Sequence, residues 1–186
     1  MSNNGTSDIY DITIIGAGPV GLYALFYAGL RNVKAKIIEA LDEVGGGLKV
    51  LYPEKYIYDV AGFHKILAKD LVDEFEKQAR AYDLPVELGQ RVIDIRHPDD
   101  DIIELETEDK VHRTRTAIIC AGMGAFIPRK LNIPDLDRYE DHGVFYYIKD
   151  SSMFKDKKVL VVGGGDSAVD NALMLEPIAS QINMIH

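Results

Sequence analysis

The sequence holds a single cysteine, Cys120, among its 186 residues. One thiol excludes an intramolecular disulfide and any Cys-x-x-Cys redox pair within the chain. The five histidines are His64, His97, His112, His142 and His186. None stands three to five residues from another or beside the cysteine, so zinc-type ligand spacing is absent and no metal site is expected. No apolar run reaches the roughly 18 residues of a membrane span. The polar stretch from Met1 to Ser7 has no apolar signal core. Basic residues are scarce: 21 Lys and Arg face 30 Asp and Glu, a formal charge of -9. That argues against a broad nucleic-acid surface, which needs clustered cations. These absences fit a cytoplasmic protein with reduced thiols and neither membrane nor nucleic acid as partner.

What is present is an ordinary globular composition, 47% hydrophobic and 27% charged, which excludes disordered, collagenous and coiled-coil classes. The length falls between one domain and two. Residues 9–15 form a β-branched run that stops at a glycine cluster, as a buried strand does. Pro19 follows, and residues 20–31 are apolar almost all round, predicting a helix buried on most sides. Val33 to Glu39 reads as a second buried strand. Strand, glycine turn, helix and strand make one βαβ unit, whose crossover demands a parallel sheet.

Residues 40–63 read as irregular, rich in Gly and Tyr. Leu67, Leu71, Phe75, Ala79 and Tyr82 then recur at helical spacing and predict an amphipathic packing helix. Residues 91–96, 102–106 and 111–119 predict three short strands in an antiparallel meander. Residues 122–142 read as a connection. Lys158 to Val162 is another buried-strand run ending in glycines; Ser167 to Ala179 predicts a helix and Ile182 to Ile185 a strand. The fold class is therefore α/β: a Rossmann-like three-layer fold with a β-meander, followed by the start of a second Rossmann-like unit. Two strands and one helix close no core of their own.

Gly16-x-Gly18-x-x-Gly21 follows the first strand, and Glu39 stands 18 residues after Gly21. Gly16 permits a tight turn, Gly18 admits a pyrophosphate to the helix N-terminus, and Gly21 allows helix and strand to pack closely. The carboxylate of Glu39 is placed to accept hydrogen bonds from an adenosine ribose. Gly163-Gly164-Gly165-Asp166-Ser167-Ala168 repeats the device with Ala at the third position. Residues that separate NAD from NADP would follow the next strand, where the sequence stops at His186, so spacing leaves the two open. Two dinucleotide units with a meander between them imply electron transfer between two cofactors, and a flavin is the natural partner of a nicotinamide.

Several segments carry a closer resemblance. Gly16 to Gly21 with Glu39, Gly45-Gly46-Gly47-Leu48, and Leu51-Tyr-Pro-Glu-Lys-Tyr-Ile-Tyr-Asp-Val-Ala-Gly-Phe63 are similar to the thioredoxin-reductase-like ferredoxin–NADP⁺ reductases. So are Ile119-Cys-Ala-Gly-Met-Gly-Ala-Phe-Ile-Pro-Arg129 and Val159-Leu-Val-Val-Gly-Gly-Gly-Asp-Ser-Ala-Val-Asp170. The resemblance implies FAD in the first unit and NADPH in the second, with electrons passing to ferredoxin or flavodoxin, and a homodimer. It places Gly16, Gly18, Pro19, Gly21, Glu39, Gly46, Gly47, Leu48, Ala121 and Gly122 in cofactor binding. Tyr52 and Phe126 are implied at the flavin, and Val92 at the adenosine through its backbone. On NADPH it places Gly163, Gly165, Asp166, Ser167 and Ala168. No residue is implied as an acid–base catalyst; the chain's part is to hold two rings in register.

Two departures stand out. Gly47 replaces a Gln of the family pattern, removing an amide that would bind the flavin. The length is about half that expected, which implies that residues 1–142 are an FAD-binding domain without its C-terminal segment and that 143–186 begin an NAD(P)H-binding domain. Against thioredoxin reductase itself, Tyr147-Ile-Lys-Asp150 stands where the dithiol would be, and Cys120 reads as a buried structural thiol. The alternatives are a related flavoprotein with another acceptor and a nucleotide-binding fragment without turnover.

Overall fold

The structure is a computed structural model that describes residues 9–124 and 130–186. The chain divides into two compact units, residues 1–127 and 128–186.

In the first unit, β1 (Tyr10–Ile15) leads through the glycine turn into α1 (Pro19–Leu30) and β2 (Ala35–Ile38). Pro19 opens the helix where a missing N–H does no harm. β1 and β2 pair in parallel with Ile14 opposite Ile37. Both are fully buried and pack in one core with Leu22 and Leu25 of α1, and with Ala79. The expected amphipathic helix is α3 (Ala68–Ala79), extended by a 3-10 turn over Arg80–Tyr82. It buries Ala68, Leu71, Val72 and Ala79. The region read as irregular carries a short helix, α2 (Gly46–Leu51), and a strand, β3 (Tyr56–Ile57), that pairs antiparallel with β4 (Ile66–Leu67) just beyond it. Glycines at its start and a two-residue strand give no periodicity to read. α1 also departs from expectation: Val20, Tyr23, Tyr27 and Leu30 line an exposed stripe. A helix on an outer layer meets the sheet along one side only.

A two-residue strand, β5 (Val86–Glu87), then adds to β2 in parallel. The meander follows as β6 (Val92–Asp99), β7 (Ile102–Thr107) and β8 (Val111–Ile119). β8 pairs antiparallel with β7 and parallel with β1. The three meander strands therefore complete one six-stranded sheet in the order β5-β2-β1-β8-β7-β6.

This sheet curls over itself. In a flat sheet β5 and β8 would lie three strand spacings apart, about 14 Å. Yet Lys110, before β8, hydrogen-bonds Glu87 of β5, and Thr107 Oγ1 lies 3.1 Å from Gln90 Oε1. Side chains span that gap only if the meander folds back over the parallel strands as a third layer. A polar cluster fills the space between. Lys36 Nζ is buried and sits 2.6 Å from His112 Nδ1 and 3.1 Å from Glu87 Oε1. His112 is itself buried, and its Nε2 faces Gln90 Oε1 at 3.4 Å. Burial raises the Glu87 carboxyl, but hydrogen bonds from Lys110 and Lys36 outweigh it and leave the group below its ordinary value.

The second unit holds 3-10 turns at Leu136–Tyr139 and Ser151–Phe154, then β9 (Lys158–Val162), α4 (Asp166–Leu175) and β10 (Gln181–Ile185). β9 and β10 pair in parallel. α4 stops four residues short of the expected end at Ala179, two residues before Pro177.

The buried His112 makes folding sensitive to acid. Burial and the Lys36 ammonium hold its pKa at about 4, below the ordinary value of 6.5. The unfolded chain takes up that proton first, so stability is whole above 6.5 and drains away as pH falls toward 4. The full loss from this one group is about 3 kcal/mol. The unfolding free energy from urea titrations should fall between pH 7 and 4 by about 3 kcal/mol more for the native protein than for His112→Gln.

Candidate functional site

The first glycine loop is built where three chain segments converge. Gly16 leaves β1 with φ +101° and donates to the Ile38 carbonyl at 2.8 Å. A Cβ there would stand 2.5 Å from the Cys120 carbonyl oxygen, so the end of β8 closes one wall. A Cβ on Gly21 would fall on the Gly16 carbonyl oxygen, which confirms the close helix–strand approach. Gly18 is different. It caps α1 with no side-chain hydrogen bond, and a Cβ on it would meet nothing within 4 Å. The space in front of the helix N-terminus is open and carries the positive end of the helix dipole.

Glu39 reaches back to this loop. Its carboxylate accepts from Ala17 N at 2.6 Å and from Leu41 N at 3.0 Å. The side chain is buried. A carboxylate offers about four acceptor positions, so capacity remains for the two hydroxyls of a ribose. The chain from 45 to 47 forms the second wall: Gly45 N donates to Ala17 O at 2.8 Å. A Cβ on Gly46 would come within 3.1 Å of Gly18 Cα.

Thus Gly16, Gly18, Pro19, Gly21, Glu39 and Gly46 come together, with Ala121 Cα against the Gly16 position. Gly47 and Leu48 continue in α2, and Tyr52 caps its C-terminus, 37% exposed, with Lys55 Nζ 5.4 Å over its ring. Tyr56 and Tyr58 are exposed under Lys65. Val92 opens β6 and is half-buried. Gly122 lies in the exposed turn after Cys120. Phe126 lies outside the described residues. Cys120 follows the last residue of β8 and is half-buried against the core, where burial pushes its thiol up and keeps it protonated.

The second glycine loop repeats the arrangement in its own unit. Gly163 has φ +135° and donates to Ile185 O at 2.8 Å, and its Cβ position touches Ala168 Cβ at 3.5 Å. Gly165 caps α4 with no side-chain bond and with nothing within 4 Å of its Cβ position. Asp166, Ser167 and Ala168 form the first turn. The His186 ring packs against Gly164. Both loops therefore fit a dinucleotide by the same criterion, an uncapped helix start behind an open glycine. Among the described residues no group of His, Cys, Asp or Glu could hold a metal ion, and no helix is long and apolar enough to cross a membrane.

The family model described as pyridine nucleotide-disulphide oxidoreductase matches residues 59–186. Ferredoxin--NADP reductase 2 of Shouchella clausii is 50% identical over 179 residues, 96% of this chain and 54% of that protein. Ferredoxin--NADP reductase of Geobacillus kaustophilus is 48% identical over 186 residues, all of this chain and 56% of that one. The chain thus spans about half the length of the curated relatives it matches. Among solved structures, Lactococcus lactis thioredoxin reductase superposes with a TM-score of 0.75 at 29% identity, over 95% of this chain and 56% of its own.

Alanine at the two glycines separates packing from binding. Gly21→Ala should lower stability by more than about 2 kcal/mol, because backbone must move. Gly18→Ala should cost under about 1 kcal/mol in the flavin-free protein, yet weaken dinucleotide binding. Thermal melts with and without added FAD read both effects.

Proposed function

Since this chain belongs to the pyridine nucleotide-disulphide oxidoreductases, we propose that it forms the FAD site and the start of the NADPH site of a ferredoxin–NADP⁺ reductase. The observation that carries this is the Glu39 carboxylate lying on Ala17 of the first glycine loop, beside the open front of Gly18. FAD, when bound, supplies a carrier that takes two electrons as hydride from NADPH and releases them singly to ferredoxin or flavodoxin.

The chain's own residues bind and orient. Glu39 accepts from the adenosine ribose, and the start of α1 holds the pyrophosphate. Val92 offers backbone to the adenosine side and Tyr52 a ring to the flavin. Ala121 and Gly122 belong to the same site, and Phe126 adds to its flavin side. In the second unit Gly163, Gly165, Asp166, Ser167 and Ala168 receive NADPH. The domain assignment we favour is 1–142 for FAD and 143–186 for the start of the NADPH domain, in a cytoplasmic homodimer. Ferredoxin as acceptor is supported by the names of the relatives at about half identity. Thiol exchange is disfavoured, because it needs a thiolate and a resolving thiol, and the one cysteine is held as a thiol by burial.

Purified protein should take up FAD, and anaerobic NADPH should bleach the bound flavin. Cytochrome c reduction should then depend on added ferredoxin. Protein that binds no flavin would overturn the assignment, and ferredoxin-independent reduction of a disulfide substrate would favour the thioredoxin reductase-like alternative.

Gly47 gives a second test. Its backbone is helical and its Cβ position meets only Leu51 Cδ1, at 3.9 Å. Gly47→Gln should therefore raise stability by up to about 1 kcal/mol and tighten FAD binding, read by flavin fluorescence quenching.

A further inference from the structure

Glu39 does not hold its own position. The Glu39 N–H donates to Glu87 O at 2.9 Å, and the Glu39 carbonyl accepts from Gln90 N at 2.7 Å. Leu41 O accepts from Gly89 N at 2.9 Å. Residues 87–90 thus clasp both peptide groups of the carboxylate-bearing residue. β5 pairs with β2 over two residues, and these backbone bonds carry the contact on to Leu41.

The side chains of the same segment are anchored elsewhere. Glu87 takes hydrogen bonds from Lys36 at 3.1 Å and from Lys110. Gln90 Oε1 meets Thr107 Oγ1 and His112 Nε2. Lys36 donates to His112 Nδ1, so the ring proton sits on Nε2, facing Gln90. His112 is faced by Lys36 from β2, Glu87 from β5 and Lys110 from the turn before β8, with Tyr10 of β1 beneath Lys36. The parallel strands and the meander are both tied to one four-residue segment, and that segment is tied to Glu39.

We propose that Lys36, Glu87, Gln90 and His112 are positioning residues that fix the Glu39 carboxylate for the adenosine ribose by locking residues 87–90 against the meander. The proposal rests on the reading of Glu39 as the ribose acceptor. A buried lysine inside the strand that ends at the binding acid is otherwise an expensive choice: an isolated buried charge is strongly unfavourable, and an apolar residue would pack the layer as well. Its value lies in holding the geometry before the nucleotide arrives, when a preset acceptor spares the ordering cost of binding.

Lys36→Met keeps the volume and removes the charge, leaving Glu87 its Lys110 partner. Gln90→Met removes the half-buried link and spares the core. FAD affinity is measured by fluorescence quenching on flavin-stripped protein, after circular dichroism shows each variant folded at the working temperature. Lys36→Met should raise the Kd by about tenfold, and Gln90→Met should raise it by less. The deciding comparison is with Glu39→Gln. If the lysine acts through Glu39, adding Lys36→Met to Glu39→Gln should change the Kd by less than about twofold. If the two losses simply multiply, or if Lys36→Met and Gln90→Met both bind FAD like the native protein, the positioning role is wrong. If Glu39→Gln alone binds FAD unchanged, the ribose reading fails, and the positioning role with it. Should Lys36→Met not fold, Gln90→Met takes its place in the cycle: a change below about twofold on top of Glu39→Gln supports the positioning role, and multiplied losses refute it.

Discussion

The hydrogen bond from Ala17 N to the Glu39 carboxylate is the contact on which the first unit turns. It joins the loop after β1 to the residue after β2, and so fixes the relation of a helix N-terminus to an acid. Everything around it serves that relation. The parallel pairing of Ile14 with Ile37 brings the two strand ends level. The missing side chain of Gly21 lets α1 sit down on the loop. The chain at Gly45 closes the far side through Ala17 O. A carboxylate so placed accepts from the Ala17 and Leu41 N–H groups and is held in direction at the start of α1.

The same geometry explains why the meander belongs to the site and not only to the core. β8 is shared: it completes the antiparallel layer and lies beside β1. Its end therefore delivers Cys120 and Ala121 to Gly16, while its start delivers His112 to Lys36. One strand thus supplies backbone to the loop and a polar anchor beneath it. The cluster of buried Lys36 and His112 with half-buried Glu87 is tolerated because each charge has a partner.

The two units use one device with different surroundings. In each, a glycine leaves a strand with positive φ and a second glycine leaves the helix start bare. In the first unit an acid and a meander complete the arrangement. In the second, β10 ends beside the loop, with His186 on Gly164. The likeness to ferredoxin–NADP reductases and to thioredoxin reductase follows this duplication. The thiol of Cys120, the one cysteine of the sequence, is pushed up by burial.

Much of the architecture was legible from one dimension, because strand–glycine–helix–strand periodicity and the Gly16 to Glu39 spacing are local properties with local physical causes. α2 and β5 were not, being too short to show a period. The sequence by itself determined the two glycine loops, the acid at Glu39 and the absence of a second thiol. Only the tertiary structure decided that the meander folds back over the parallel strands, and hence that Lys36, Glu87, Gln90 and His112 meet. Those residues are scattered over 76 positions between Lys36 and His112. Their contact depends on how a sheet curls, and no spacing along the chain encodes that.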